Sequence, residues 1–229
     1  KIVISTGVVS TFAGSPGSQG STNAAGTSAR FRNPWGITND GTNLYVADTD
    51  NHLIRKIVIS TGAVTTIAGS PGSAGSTDAS GTSARFTYPR GITTDGTNLY
   101  VVDSLGHKIR KIVISTGFVT TLAGSNNGFA DGTGTAAKFS YPNGITTDGT
   151  NLYVGDDNNH RIRKIVISTG AVTTLAGSGT QGSTDATGTA ARFKNPRGIT
   201  TDGTNLYVGD YGNHKIRKIV ISTGAVTTF

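Results

Sequence analysis

Along the chain, short runs of β-branched and aromatic residues alternate with polar, glycine-bearing clusters. Gly91-Ile92-Thr93-Thr94 reads as a short strand closed by Asp95-Gly96-Thr97, a hairpin turn signal. Asn98-Leu99-Tyr100-Val101-Val102 answers it as a second strand. After Asp103-Ser104-Leu105-Gly106, the β-branched run from His107 to Ile114 predicts a longer third strand. Ser115-Thr116-Gly117 turns the chain into a fourth, Phe118-Val119-Thr120-Thr121-Leu122. A Gly/Ser/Asn-rich connection of about twenty residues then runs to Ala136-Ala137-Lys138-Phe139-Ser140-Tyr141-Pro142, where the pattern restarts.

The restart is periodic. The string KIVISTG begins at Lys1, Lys56, Lys111, Lys164 and Lys218, with spacings of 55, 55, 53 and 54. A unit of that size is one supersecondary element that buries its apolar faces only against neighbours. Four antiparallel strands per unit, repeated radially, define an all-β β-propeller. The full blades are expected at about 36–67, 91–122, 144–175 and 198–229, preceded by a half blade at 1–13, so that 1–229 is one propeller or propeller segment. Residues 1–12 match residues 218–229 at ten of twelve positions, so in a closed four-bladed ring the two stretches would compete for one slot. The expectation is a segment of a longer repeat array, with open edges available for self-association.

Composition supports an all-β chain. All thirteen acidic residues are aspartate, and 33 glycines disfavour helices. There is no cysteine, which removes disulfides and thiolate chemistry, and no apolar run approaches the roughly 20 residues of a membrane-spanning helix. The net charge of +7 is dealt out a few residues per repeat, giving a diffuse positive field.

The lead-in to each third strand reads Asn51-His52-Leu53, Gly106-His107-Lys108, Asn159-His160-Arg161 and Asn213-His214-Lys215. With the preceding Pro-x-Gly-Ile and Leu-Tyr-Val-x-Asp elements, the chain resembles the NHL-repeat family, whose members form β-propellers, commonly six-bladed. The resemblance covers essentially the whole chain, with Gly106 departing from the asparagine. It is compatible with protein binding, with RNA binding, and with enzymes on related propellers such as lactonases and lyases; the fold does not choose among them.

His52, His107, His160 and His214 recur once per blade at one register, so a structural hydrogen bond is expected of them and not a converging metal site. Asp48, Asp103, Asp156 and Asp210 end second strands, and Asp40, Asp95, Asp148 and Asp202 sit in hairpin turns, where aspartate accepts backbone N–H bonds. Asp78, Asp131 and Asp185 are expected to cap the turns that follow them. Phe31, Phe86, Phe139 and Phe193 read as plugs between blades. Arg55-Lys56, Arg110-Lys111, Arg163-Lys164 and Arg217-Lys218 read first as an outer girdle whose charges reach water and second as a phosphate track.

The informative positions are those where the copies differ. Trp35, Arg90, Asn143 and Arg197 stand between Pro and Gly at the start of each inner strand, with loop residues Thr49-Asp50, Ser104-Leu105, Asp157-Asn158 and Tyr211-Gly212 on the same face. The candidate ligand-binding rim is Trp35, Arg90, Asn143, Arg197, Leu105, Asn158 and Tyr211, with the aromatic and guanidinium enrichment of recognition surfaces. The expectation is a non-enzymatic binding or structural module of a larger secreted or surface protein, with no metal or cofactor. Its partner would be a protein or a small polar or anionic ligand. The rival readings are a hydrolase or lyase with an axial metal, an RNA-binding propeller, and an engineered or amplified repeat fragment without an evolved ligand.

Overall fold

A computed structural model describes all 229 residues. It is an all-β, four-bladed β-propeller. Blade 1 comprises β1 (Pro34–Asn39), β2 (Asn43–Asp48), β3 (Leu53–Val58) and β4 (Val64–Gly69). Blade 2 comprises β5 (Pro89–Thr94), β6 (Asn98–Asp103), β7 (Lys108–Val113) and β8 (Phe118–Ala123). A short β9 (Gly132–Thr133) precedes blade 3, formed by β10 (Pro142–Thr147), β11 (Asn151–Asp156), β12 (Arg161–Val166) and β13 (Ala171–Ala176). Blade 4 comprises β14 (Pro196–Thr201), β15 (Asn205–Asp210), β16 (Lys215–Val220) and β17 (Val226–Thr228).

Each blade pairs its strands in sequence order, antiparallel throughout. The hairpin aspartates behave as expected. Asp95 Oδ1 accepts the backbone N–H groups of Thr97 and Asn98, and Asp95 Oδ2 accepts the Tyr100 hydroxyl at 2.8 Å. The same tyrosine bond recurs at Asp40, Asp148 and Asp202. At Tyr45 burial and the Asp40 carboxylate push the phenol up to about 12.

Blades 2 and 3 are covered on both faces by their neighbours, and blades 1 and 4 on one face each. Tyr45, Ala47, Ile54 and Ala68 of blade 1 pack on Ile92, Leu99, Val101, Ile112 and Val119 of blade 2. Blades 2 and 3, and blades 3 and 4, repeat the arrangement. Phe86, Phe139 and Phe193 are fully buried in these seams as their spacing predicts, whereas Phe31, the fourth expected plug, is half-buried on the open side of blade 1. Close packing extends to the backbone of the inner strands: a Cβ on Gly36, Gly91 or Gly144 would run into the carbonyl of Arg90, Asn143 or Arg197 on the next blade.

The inner strands pack in the order β1, β5, β10, β14, and β14 does not come round to pack on β1. The two copies of the outer-strand sequence therefore do not compete: residues 218–229 belong to blade 4, and residues 1–13 lie at the other end. The expected half blade is a solitary hairpin with one bridge, Ile2 to Val9, and Phe12 and Ala13 reach the side of blade 1.

The glycine-rich connections are well anchored. Each runs along the outer edge of the following blade, where Val64, Val119 and Val226 donate N–H to the carbonyls of Ala24, Ala79 and Ala186, which covers the edge strand. The connection is then gripped by an arginine. Arg163 donates Nη1 to the carbonyl of Lys138 at 3.0 Å and to Asp156 Oδ2 at 2.7 Å, and Nη2 to the carbonyl of Ala130 and to Asp131 at 2.6 Å. Its guanidinium stacks 5.0 Å from the centre of the Phe139 ring. Arg55, Arg110 and Arg217 repeat this geometry.

This corrects two expectations. The four arginines are not an outer girdle, because their side chains are fully buried. Asp78, Asp131 and Asp185 do not cap the following turns; they pair with Arg110, Arg163 and Arg217 and bind Thr121, Thr174 and Thr228. Replacing Arg163 by Met leaves Asp156 buried with its charge unpaired. A loss of about 3–5 kcal/mol of unfolding free energy is expected, read by urea denaturation.

Candidate functional site

Pro34 pairs with Asp48 across the β1–β2 ladder, and the same pairing recurs in every blade. The start of each inner strand and the loop after each second strand therefore share one mouth of the propeller. Two of these loops lean on the next blade. Thr49 Oγ1 donates to the carbonyl of Pro89 at 2.7 Å, and Asp157 Oδ1 accepts Nδ2 of Asn195 at 2.7 Å.

Of the rim residues expected from the sequence, five enter this mouth. Arg90 lies 5.3 Å from the centre of the Trp35 ring, and Arg197 stacks on Tyr211 at 3.8 Å. Arg197 Nε also donates to Asp157 Oδ2 at 3.0 Å. Asn143 stands between the two arginines in blade order and is only 2% exposed, with its Nδ2 buried and unpartnered. Arg90 Nε and Ser104 Oγ are likewise buried without a partner. Burial lowers the Arg90 pKa from its ordinary value, and the Arg197 charge lowers it further, against weaker support from Asp157 and Asp50. The mouth thus holds two guanidiniums that repel, together with buried donors that have no partner.

Leu105 is half-buried and Asn158 exposed, each in its own loop. Their backbone N–H groups tie back to Thr87 and Ser140, the lead-in of their own blades. Asp157, one residue earlier, is the loop residue that meets Arg197. Its chain signal was its difference from Thr49, Ser104 and Tyr211 at one register.

The histidines staple successive blades. Nδ1 of His52, His107 and His160 accepts the backbone N–H of Tyr88, Tyr141 and Asn195, at 3.2 to 3.3 Å. His52 and His107 also set their rings edge-on to Tyr88 and Tyr141, with centroids 4.9 Å apart. These histidines adopt left-handed backbone, with φ of 54 to 60°. Their aspartate neighbours are structural too: Asp48, Asp103, Asp156 and Asp210 each accept a lead-in N–H and an arginine. No three His or Asp side chains converge in a geometry that could hold a metal ion.

Gly106 has a local cost. Asn51, Asn159 and Asn213 donate Nδ2 to the buried carboxylate of their blade, and Gly106 has nothing to donate to Asp103. Burial pushes the Asp103 carboxyl up to about 6.

The geometry defines a repeat propeller whose copy-variable residues gather at one mouth, and comparison with known proteins places it more closely. Human NHL repeat-containing protein 2 is 33% identical over 180 residues, 72% of this chain and 25% of that protein. The chain belongs to the NHL-repeat β-propeller family. It spans about a quarter of the length of that relative. No protein-family profile matches the chain. Two solved structures share the fold. An auxiliary nutrient binding protein of Bacteroides thetaiotaomicron is 21% identical with a TM-score of 0.64, over 84% of this chain and 47% of that one. A virginiamycin B lyase of Staphylococcus aureus is 21% identical with a TM-score of 0.56, over 86% of this chain and 55% of that one. The likeness to these two structures shows the fold.

Two outcomes are expected. Burial lowers the pKa of His52, His107 and His160 below the ordinary 6.5, so the unfolded chain takes up protons first as pH falls. The stability they contribute is complete above 6.5 and is lost as pH falls below it. Replacing all three by Asn, which tolerates left-handed backbone and retains an acceptor, is expected to flatten denaturation midpoints measured over that range. Gly106→Asn returns an amide donor to Asp103, whose carboxylate must shift because a Cβ would lie 2.7 Å from it. A gain of about 1 kcal/mol in thermal or urea unfolding is expected.

Proposed function

We propose that the chain is a non-enzymatic recognition module of a larger protein, and that its rim takes an anionic group from a protein or small-molecule partner. One observation carries the reading. Arg90 and Arg197 face one mouth where a single carboxylate, Asp157, makes a direct ion pair, while Asn143 Nδ2 and the Nε of Arg90 itself are buried and unpartnered. A carboxylate or phosphate bound there would relieve the repulsion between the guanidiniums and accept from donors that now have no partner. Exposed Trp35 and Tyr211, with the arginines stacked on them, add flat apolar area at the margin. A secreted or cell-surface setting is part of the same proposal, tested by locating the tagged chain in its host.

Immobilised chain screened against matched acidic, neutral and basic peptides is expected to retain acidic ones. Arg90→Ala and Arg197→Ala are expected to weaken retention about tenfold or more, the scale of losing a hydrogen bond to a charged group. Lys164→Ala, on a third strand away from the mouth, is expected to leave it unchanged. Equal losses from all three variants would make binding a matter of net charge and overturn the assignment to the rim.

A further inference from the structure

The blade-to-blade contact is made three times within the chain and left unmade at both ends. In β3, β7 and β12, Ile54, Ile109 and Ile162 are completely buried against the next blade, whereas Ile216 at the same position of β16 is 51% exposed. On the opposite side, Ile92 and Ile145 are 6% exposed, and Ile37 of blade 1 is 60% exposed. Gly198 has open space where Gly36, Gly91 and Gly144 meet the next blade's backbone. The bare side of blade 1 forms an apolar groove of about 770 Å³, lined in part by Phe12, Phe31, Trp35, Ile37, Leu44 and Ile57.

These two faces are the halves of one contact, and the blade 3 to blade 4 seam shows how they fit. Blade 3 offers Tyr153, Gly155 and Ile162; blade 4 offers Tyr207, Gly209 and Ile216 at the same registers. The surface receiving blade 3 carries Ile199, Leu206, Val208, Ile219 and Val226, and the groove side of blade 1 carries Ile37, Leu44, Val46, Ile57 and Val64. The apolar identities are the same throughout. The polar staple has its partner as well. His160 accepts from the N–H of Asn195, which has φ of 52° and precedes Pro196; Asn33 has φ of 47° and precedes Pro34. His214 makes no such bond within the chain, so the N–H of a second copy's Asn33 is its counterpart.

We propose that a second copy of this chain docks head to tail, with blade 4 of one copy on blade 1 of the other, in the register of the blade 3 to blade 4 seam. The contact is heterologous, so two reciprocal contacts close eight blades about one axis, within the range of known propellers. One element must move. Phe12 occupies the position equivalent to Phe229, on the strip that the partner's β17 would cover. The hairpin that holds it is bonded mainly to itself, from Val3 to Val8 and from Ser10 to Lys1, and Ile4 is 98% exposed.

The test is the mass of the 229-residue chain by light scattering and sedimentation across the micromolar range, with Ile37→Asp and Ile216→Asp as variants. Both isoleucines are half exposed or more, so the folded chain tolerates the changes, which circular dichroism checks. The parent chain is expected to reach at least twice its single-chain mass, and each variant alone to remain single. An equal mixture of the two variants is expected to regain a species of two chains, because one copy keeps an intact blade 4 face and the other an intact blade 1 face. A parent chain that remains single throughout, variants that associate as the parent does, or a mixture that fails to associate would each overturn the proposal. Shortening the chain to begin at Gly14 is expected to lower the concentration at which the mass doubles; loss of doubling with the fold intact would assign the contact to the hairpin and overturn it as well.

Discussion

A guanidinium with no access to water governs this molecule. Placing a charge inside a protein is unfavourable unless it is paired and hydrogen-bonded, and each blade meets that condition in the same way. The arginine of the third strand pairs with the aspartate that ends the second, and its remaining donors take carbonyls of the incoming connection. Three structural needs are met by one side chain. The second strand ends where its aspartate is held, a long glycine-rich connection acquires a fixed path, and the phenylalanine under the guanidinium is seated between blades. Without the clamp, a connection of such composition would have little reason to order, since long loops lacking structure of their own are uncommon in compact domains.

The clamp was also what the sequence concealed. Strands, turns and period were legible because alternating β-branched residues and Asp-Gly turns act locally. The arginine was misread because Leu53-Ile54-Arg55-Lys56-Ile57 looks like a strand with a wet side. Between blades a sheet is covered on both faces and the loop connections cover its outer edge, so a polar letter in a strand does not mark the surface. The partners of Arg110 explain the rest: Asp78 lies 32 residues earlier, and no local pattern links the two. Asp78 therefore looked like a turn cap.

The rim was legible to a different degree. Comparing copies found Trp35, Arg90, Asn143, Arg197 and Tyr211, because positions that differ among near-identical repeats stand out without any knowledge of geometry. It gives no sign that Asp157 pairs with Arg197, since the two lie 40 residues apart and only the fold brings them together. The same repetition that makes the rim conspicuous makes the histidines look interesting, yet their chemistry is that of a joint. An unprotonated ring nitrogen receives the chain of the following blade, and the repeat keeps it because every seam needs one.

The staples and seams run in one direction, each blade holding the one after it. The outermost sheets are secured on a single flank, while the two inner ones are secured on both. Pulled by its termini, such a chain should surrender its peripheral sheets at low force and the central pair last. The molecule is thus graded in mechanical strength from its ends to its middle, although its units are nearly the same in composition.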